Sequence, residues 1–211
     1  MTCQIGNWYD SIVTEKLKGI YGSMFSGKTE TLFKEITNNK IAGKKVVVFK
    51  PAIDDRWGLE GEIRSHSGAT HPAFILQNSA DLLQHLEPDT EVVFIDEVQF
   101  FDEQIIDVVK FLLDQDIQVV FDGLSSDFRG EPFGSMPILL SLCDEVERLK
   151  AICTHVEKSK KCGQPATKTQ RLINGQPANY NDPIIVIGDK ENYEARCPKH
   201  HLVPGKPKPK I

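Results

Sequence analysis

Two stretches of the chain carry side chains suited to phosphate chemistry. The first is Gly22-Ser23-Met24-Phe25-Ser26-Gly27-Lys28-Thr29, a G-x-x-x-x-G-K-T pattern. Its glycines allow tight backbone turns, so that successive N–H groups can point inward around an anion. Lys28 can then reach the β- and γ-phosphates of a nucleotide, and the Thr29 hydroxyl can join the shell of a Mg²⁺ ion. The second is Glu91-Val92-Val93-Phe94-Ile95-Asp96-Glu97, an apolar run that ends on carboxylates. In nucleotide-binding α/β sheets, an acid at the C-terminal end of a buried strand sits on the Mg²⁺ side of the site. Each pattern alone has a plainer explanation, a glycine turn for one and a solvated loop acid for the other. In this order along one chain they describe a site for ATP and Mg²⁺.

A third group lies near the C-terminus. Cys197-Pro198-Lys199-His200 has the two-residue gap that lets both side chains reach one ion, and thiolate and imidazole are the ligands a structural zinc prefers. Cys153 and Cys162 would complete the set, with His155 and His201 as alternatives; reduced, unliganded cysteines are the plainer reading. Four protein ligands leave no open position for a substrate, which makes such a zinc structural.

The elements that must hold these residues follow from the apolar pattern. A short strand precedes Gly22, and a helix follows the loop to about Ala42, where Gly43 can end it. Residues 45–50 read as a buried strand stopped by Pro51, and 52–70 as a long polar loop. Helical spacing recurs over 79–86, 102–115 and 138–146. Strands are expected at 91–97, at 117–121 and, as a final core strand, at 147–152. This alternation predicts an α/β fold, a parallel nucleotide-binding sheet flanked by helices. The composition shifts after Ile152, dividing the chain into an ATP-binding domain (1–152), a small metal-stapled subdomain (153–203) and a Pro/Lys-rich tail (204–211) expected to be disordered. Within the subdomain, Asn174-Gly175 is a hairpin-turn dipeptide.

Bulk properties narrow the class. With 211 residues and a net charge of −5, the chain is mildly acidic, which argues against a nucleic-acid-binding surface. The first 13 residues lack the basic start and apolar core of a signal peptide, and no apolar run is long enough to span a bilayer. A cytoplasmic location, away from membranes, is therefore expected. The odd count of five cysteines suits reduced thiols or a metal better than disulfides.

Several motifs in one order resemble the cytosolic-type (type II) thymidine kinases, a zinc-containing P-loop family. Besides the phosphate loop they are Lys50-Pro51-Ala52-Ile53-Asp54-Asp55-Arg56, Asp96-Glu97-Val98-Gln99-Phe100-Phe101 and Gly123-Leu124-Ser125-Ser126-Asp127-Phe128-Arg129-Gly130-Glu131-Pro132-Phe133. Ala166-Thr167-Lys168-Thr169-Gln170-Arg171 and Tyr193-Glu194-Ala195-Arg196-Cys197 extend the match. The resemblance implies transfer of the ATP γ-phosphate to the 5′-hydroxyl of thymidine or deoxyuridine, giving dTMP for nucleotide salvage and DNA synthesis. It implies that Glu97 is the general base, that Arg56 stands near the transferred phosphate with Asp54 as a companion, and that Asp96, Glu97, Val98 and Gln99 face the nucleotide. Met24, Phe100, Leu124, Phe128 and Phe133 would wall the base pocket. A lasso-like loop carrying Thr169 and Ile184, Ile185, Val186, Ile187 and Gly188 would close over the base, with Tyr193 on the deoxyribose. Zinc on Cys153, Cys162, Cys197 and His200, and a homotetramer, are implied as well. Two departures stand out: the gap between Cys153 and Cys162 is longer than is usual in the family, and His200 replaces a frequent cysteine.

Overall fold

The computed structural model describes residues 15–52, 61–64, 68–185 and 193–208. The chain enters on β1 (Leu17–Tyr21), turns through the glycine-rich loop and runs into α1 (Lys28–Ile41). Next come β2 (Val46–Pro51), β3 (Glu62–Arg64), β4 (Thr70–Pro72) and β5 (Phe74–Leu76). A 3₁₀ helix over Ser79–His85 leads to β6 (Val92–Ile95), α2 (Ile105–Asp114), β7 (Gln118–Gly123), α3 (Met136–Leu142) and β8 (Glu145–Arg148). Six strands form one sheet in the order β5-β2-β6-β7-β1-β8, and every pairing is parallel. The α/β architecture is the one the sequence predicts.

Successive residues of a strand face opposite ways, so the apolar runs feed two cores. Val92 and Phe94 join Ile20, Val48 and Val120 against Leu32 and Ile36 of α1. Val93 and Ile95 join Phe49, Val119 and Phe121 against α2 (Ile105, Val109, Leu112) and α3 (Met136, Leu139). Cover on both faces is why these strands read as continuous apolar runs. Each such aliphatic side chain contributes about 1.5–3 kcal/mol on burial. The face under α2 and α3, with the longer roster, is the stronger anchor.

Three parts of the chain differ from the pattern reading. Within 52–70, β3 pairs antiparallel with β4, and Ile63 is buried in the α1-side core between two charged neighbours. β5 then adds an edge strand that three residues are too few to announce. The helix expected over 138–146 begins and ends earlier, at Met136 and Leu142, because Cys143 turns extended and the chain re-enters the sheet. The expected final core strand is instead the edge strand β8. Its Glu145 and Glu147, together with Glu35, surround the Lys18 ammonium at 2.9, 3.6 and 3.0 Å. The Asp144 carboxylate accepts the N–H groups of Lys16 and Leu17, both at 2.9 Å, and so fastens the start of β1 to that of β8.

Beyond Lys150 the strands are short: β9 (Ala151–Ile152), β10 (Val156–Glu157), β11 (Lys160–Lys161), β12 (Pro165–Ala166), β13 (Lys168–Ile173), β14 (Gln176–Pro177) and β15 (Tyr193–Arg196). β9 pairs with β12, β10 with β11, and β13 with both β14 and β15. Asn174 and Gly175 turn β13 into β14 with φ of 52° and 76°, the conformation their dipeptide favours. The core here is small: Ala151, Cys153, Ala166, Ala195 and Cys197, with Cys162 against it. Among the described residues, no helix is long and apolar enough to cross a membrane.

Candidate functional site

The glycine-rich loop leaves the C-terminal end of β1, at the sheet edge where ligands bind in parallel folds. A Cβ at Gly22 would lie 2.4 Å from Ser26 Oγ and 2.8 Å from the Leu149 carbonyl oxygen, so no larger residue fits the turn. Phe25 (φ 64°) and Gly27 (φ 85°) are left-handed, which curls the loop ahead of the N-terminus of α1. Lys28, the first residue of that helix, is only 6% exposed. Ser26 Oγ is buried and has no hydrogen-bond partner among the described residues, which leaves its hydroxyl available to a ligand. The loop is braced from a distant part of the chain. Ser23 Oγ donates to the Ala166 carbonyl at 3.3 Å, and the Met24 N–H donates to Thr169 Oγ1 at 3.1 Å.

Beside the loop lies a group of buried acids. Asp96 follows β6 and Asp122 lies on β7; the Ile95–Phe121 register makes the two neighbours. Asp122 is fully buried and accepts the Glu97 N–H at 2.9 Å. Glu97 is left-handed, with φ and ψ both 48°, a conformation that costs an ordinary residue about 1–2 kcal/mol. At its other end, the Glu97 carboxylate accepts from Gln99 Nε2, while Gln99 Oε1 accepts the Leu124 N–H at 3.0 Å. That path exists only because residue 123 is glycine: a Cβ there would sit 2.3 Å from Gln99 Oε1. Burial, then the charge of Glu97, push the Asp122 carboxyl above the usual range, while Lys28 and the hydrogen bonds to Asp96 and from Glu97 pull the other way. These carboxyl oxygens are the hard donors a Mg²⁺ ion takes.

Asp122 is a site residue beyond Asp96 and Glu97, the two acids the sequence pattern singles out. The same signal is present twice, since Val119-Val120-Phe121-Asp122 repeats the pattern of an apolar run ending in an acid.

The aromatic positions assemble around the loop that follows β7. Asp127 holds this loop, accepting the N–H groups of Arg129 (2.9 Å) and Glu131 (3.1 Å) on Oδ1 and Arg129 Nε (2.8 Å) on Oδ2. Phe100 and Phe133 meet edge to face at 5.4 Å, and Leu124 and Phe128 are buried. The Arg171 guanidinium lies 5.4 Å from the centre of the Phe128 ring, and His201 Nε2 donates to the Phe128 carbonyl at 2.8 Å. Lys206 Nζ reaches the Arg129 carbonyl (2.6 Å) and Glu131 (3.0 Å), and the Tyr180 N–H reaches the Pro204 carbonyl, so the tail begins as a strap across this loop. Thr169 pairs with Ala195 and Tyr193 with Arg171 across β13 and β15. Ile184 and Ile185 are exposed and outside any strand. Asp54, Arg56, Val186, Ile187 and Gly188 lie outside the described residues.

The four residues of the C-terminal group converge. Their ligand atoms all lie within 4.8 Å of one another, with Cys197 Sγ 3.5 Å and Cys153 Sγ 3.7 Å from His200 Nδ1. Cys162 Sγ stands 4.0 Å from Cys197 Sγ. A zinc tetrahedron with bonds of about 2.0–2.3 Å has edges of about 3.5–3.8 Å, so the set fits the ion. The long gap between Cys153 and Cys162 is the β10–β11 hairpin, turned by Lys158 and Ser159 with φ of 50° and 63°. It folds back so that the Cys162 N–H reaches the His155 carbonyl and the Gly163 N–H that of Cys153. The alternative ligands stand outside the convergent set: His155 packs on the His200 ring at 4.2 Å, and His201 holds Phe128.

Comparison with known proteins agrees in extent with these features. The family model described as thymidine kinase matches residues 15–201. The chain is 49% identical over 190 residues to a thymidine kinase of Coprothermobacter proteolyticus, an overlap covering 90% of this chain and 92% of that one.

Proposed function

The chain belongs to the thymidine kinase family, and on that premise we propose how its own residues divide the work of phosphorylating thymidine with ATP in nucleotide salvage. The backbone from Gly22 to Gly27 encloses the nucleotide phosphates, the free Ser26 hydroxyl donates to one of their oxygens, and Lys28 neutralises the β- and γ-groups. Thr29 and Asp96 would hold Mg²⁺, which when bound supplies further neutralisation of the transferred group. A sugar hydroxyl is a poor nucleophile and must lose its proton as the phosphoryl group moves. Glu97 takes that proton.

The observation that carries this reading is the fixed, buried Glu97, held at its backbone by Asp122 and at its carboxylate by Gln99, with Asp122 in the field of the Lys28 that opens α1. Effort of that kind is expected of a group whose aim matters.

The remaining assignments lean on the family resemblance. Arg56 stabilises charge on the transferred phosphate, with Asp54 nearby. Val98 and Gln99 lie on the nucleotide side. Met24, Phe100, Leu124, Phe128 and Phe133 wall the base pocket, with the Arg171 guanidinium over the Phe128 ring. Thr169, the segment 184–188 and Tyr193 close over the nucleoside. Cys153, Cys162, Cys197 and His200 would hold a structural zinc, its shell filled by protein. A cytoplasmic homotetramer accepting thymidine and deoxyuridine completes the proposal.

Transfer of labelled γ-phosphate from ATP to a panel of deoxynucleosides tests the reading, together with Glu97→Gln. That variant is expected to bind both substrates while its turnover falls about 10²–10⁴-fold, the usual weight of a positioned base. Near-normal turnover would remove Glu97 from the role.

A further inference from the structure

We propose that Asp122 is a positioning residue for the phosphoryl transfer: by accepting the Glu97 N–H it holds Glu97 left-handed and so aims its carboxylate at the acceptor hydroxyl. The tip of β7 supplies both supports of Glu97. Asp122 takes the backbone end, and Leu124, two residues on, fixes the Gln99 amide that grips the carboxylate. Gly123 between them is the gap through which Gln99 passes. A position at 0% exposure in a sheet packed with Val, Ile and Phe would ordinarily be apolar. An acid set next to two others is a costly choice there; besides its hydrogen bond with Asp96, its carboxylate receives the Glu97 N–H. Without it, the strained Glu97 backbone loses the hydrogen bond at its N–H that favours the left-handed conformation.

The inference rests on reading Glu97 as the base, and the experiment separates the two. Wild type, Asp122→Ala, Asp122→Asn, Glu97→Gln and the double variant Glu97→Gln/Asp122→Ala are compared by steady-state kinetics. Asp122→Ala is expected to lower kcat about 10–100-fold, the cost of a misplaced catalytic group, with both KM values within about threefold of wild type. Asp122→Asn keeps an oxygen acceptor in place and recovers most of that loss. In the Glu97→Gln background Asp122→Ala has no further effect, because the side chain it aims no longer acts. A slow Glu97→Gln beside an Asp122→Ala of wild-type kcat overturns the inference alone; a Glu97→Gln of wild-type kcat overturns the base reading as well. Losses that multiply in the double variant, an Asn variant as slow as Ala, or KM values that rise as kcat falls mean general loosening and also overturn it. If Asp122→Ala does not fold, Asp122→Leu fills the space without an acceptor and is held to the same outcomes.

Discussion

The Thr169 hydroxyl steadies a loop 145 residues away in sequence by accepting the Met24 N–H. Thr169→Val keeps the shape and removes the acceptor. Because Met24 is only half-buried, water can replace part of what is lost, so the cost is set near 1 kcal/mol, not at the upper end for a buried donor. The expected result is a KM for ATP raised about fivefold with little change in melting temperature. An unchanged KM would show that the loop stands without its brace. This contact could not be read from the sequence, where Thr169 stood as a nucleoside contact, because pairings so distant in the chain leave no local pattern. Asp96 and Glu97 are legible because an apolar run ends on them; Asp122 carries the same signal one residue beyond the strand expected at 117–121.

Among the elements, β1 depends on a clamp outside itself. The N–H groups of Leu17 and Lys16, donating to Asp144, hold its carboxyl below the usual carboxylate range. A carboxyl depressed in the folded state adds stability above its unfolded value, roughly pH 4, and loses that contribution as pH falls through the folded value. Wild type should therefore melt above Asp144→Ala at pH 7, and the gap should narrow as the pH falls below about 4. A gap that does not narrow on acidification would remove the carboxylate from the clamp. The long strands and α2 were plain in the sequence because period and length agree there. β3, β4 and β5 were not, each having three residues, too few to show a period. The metal group looked irregular for a related reason: a hairpin turned by Lys158 and Ser159, with no glycine at the turn, fills the gap between its cysteines.

At the scale of the whole molecule, the cysteine–histidine group closes a small unit that reaches the site in several places. Ala166 and Thr169 touch the phosphate loop, and His201 holds Phe128. Its core is mostly alanine and cysteine, so a bound ion would supply much of its cohesion. Wild type is expected to carry one zinc per chain and Cys162→Ser to lose it. Thymidine affinity should then fall about tenfold or more as ordering is lost, with a smaller loss for ATP, whose loop keeps its own strand and helix. Metal analysis and paired titrations decide it, and a zinc-free wild type with full thymidine affinity would sink the idea.

The place of β1 in the sheet has a consequence for how the enzyme is made. Although it is the first of the described strands to be synthesised, its neighbours are β7 and β8 alone, with Leu17 opposite Val119 and Lys18 opposite Glu145. A nascent chain thus carries the strand that launches its phosphate loop without a sheet partner for on the order of a hundred residues of further translation. Only after β8 emerges does that strand become interior, and the brace from Ala166 and Thr169 arrives later still. The segment proposed to hold the nucleotide phosphates is made early and secured late.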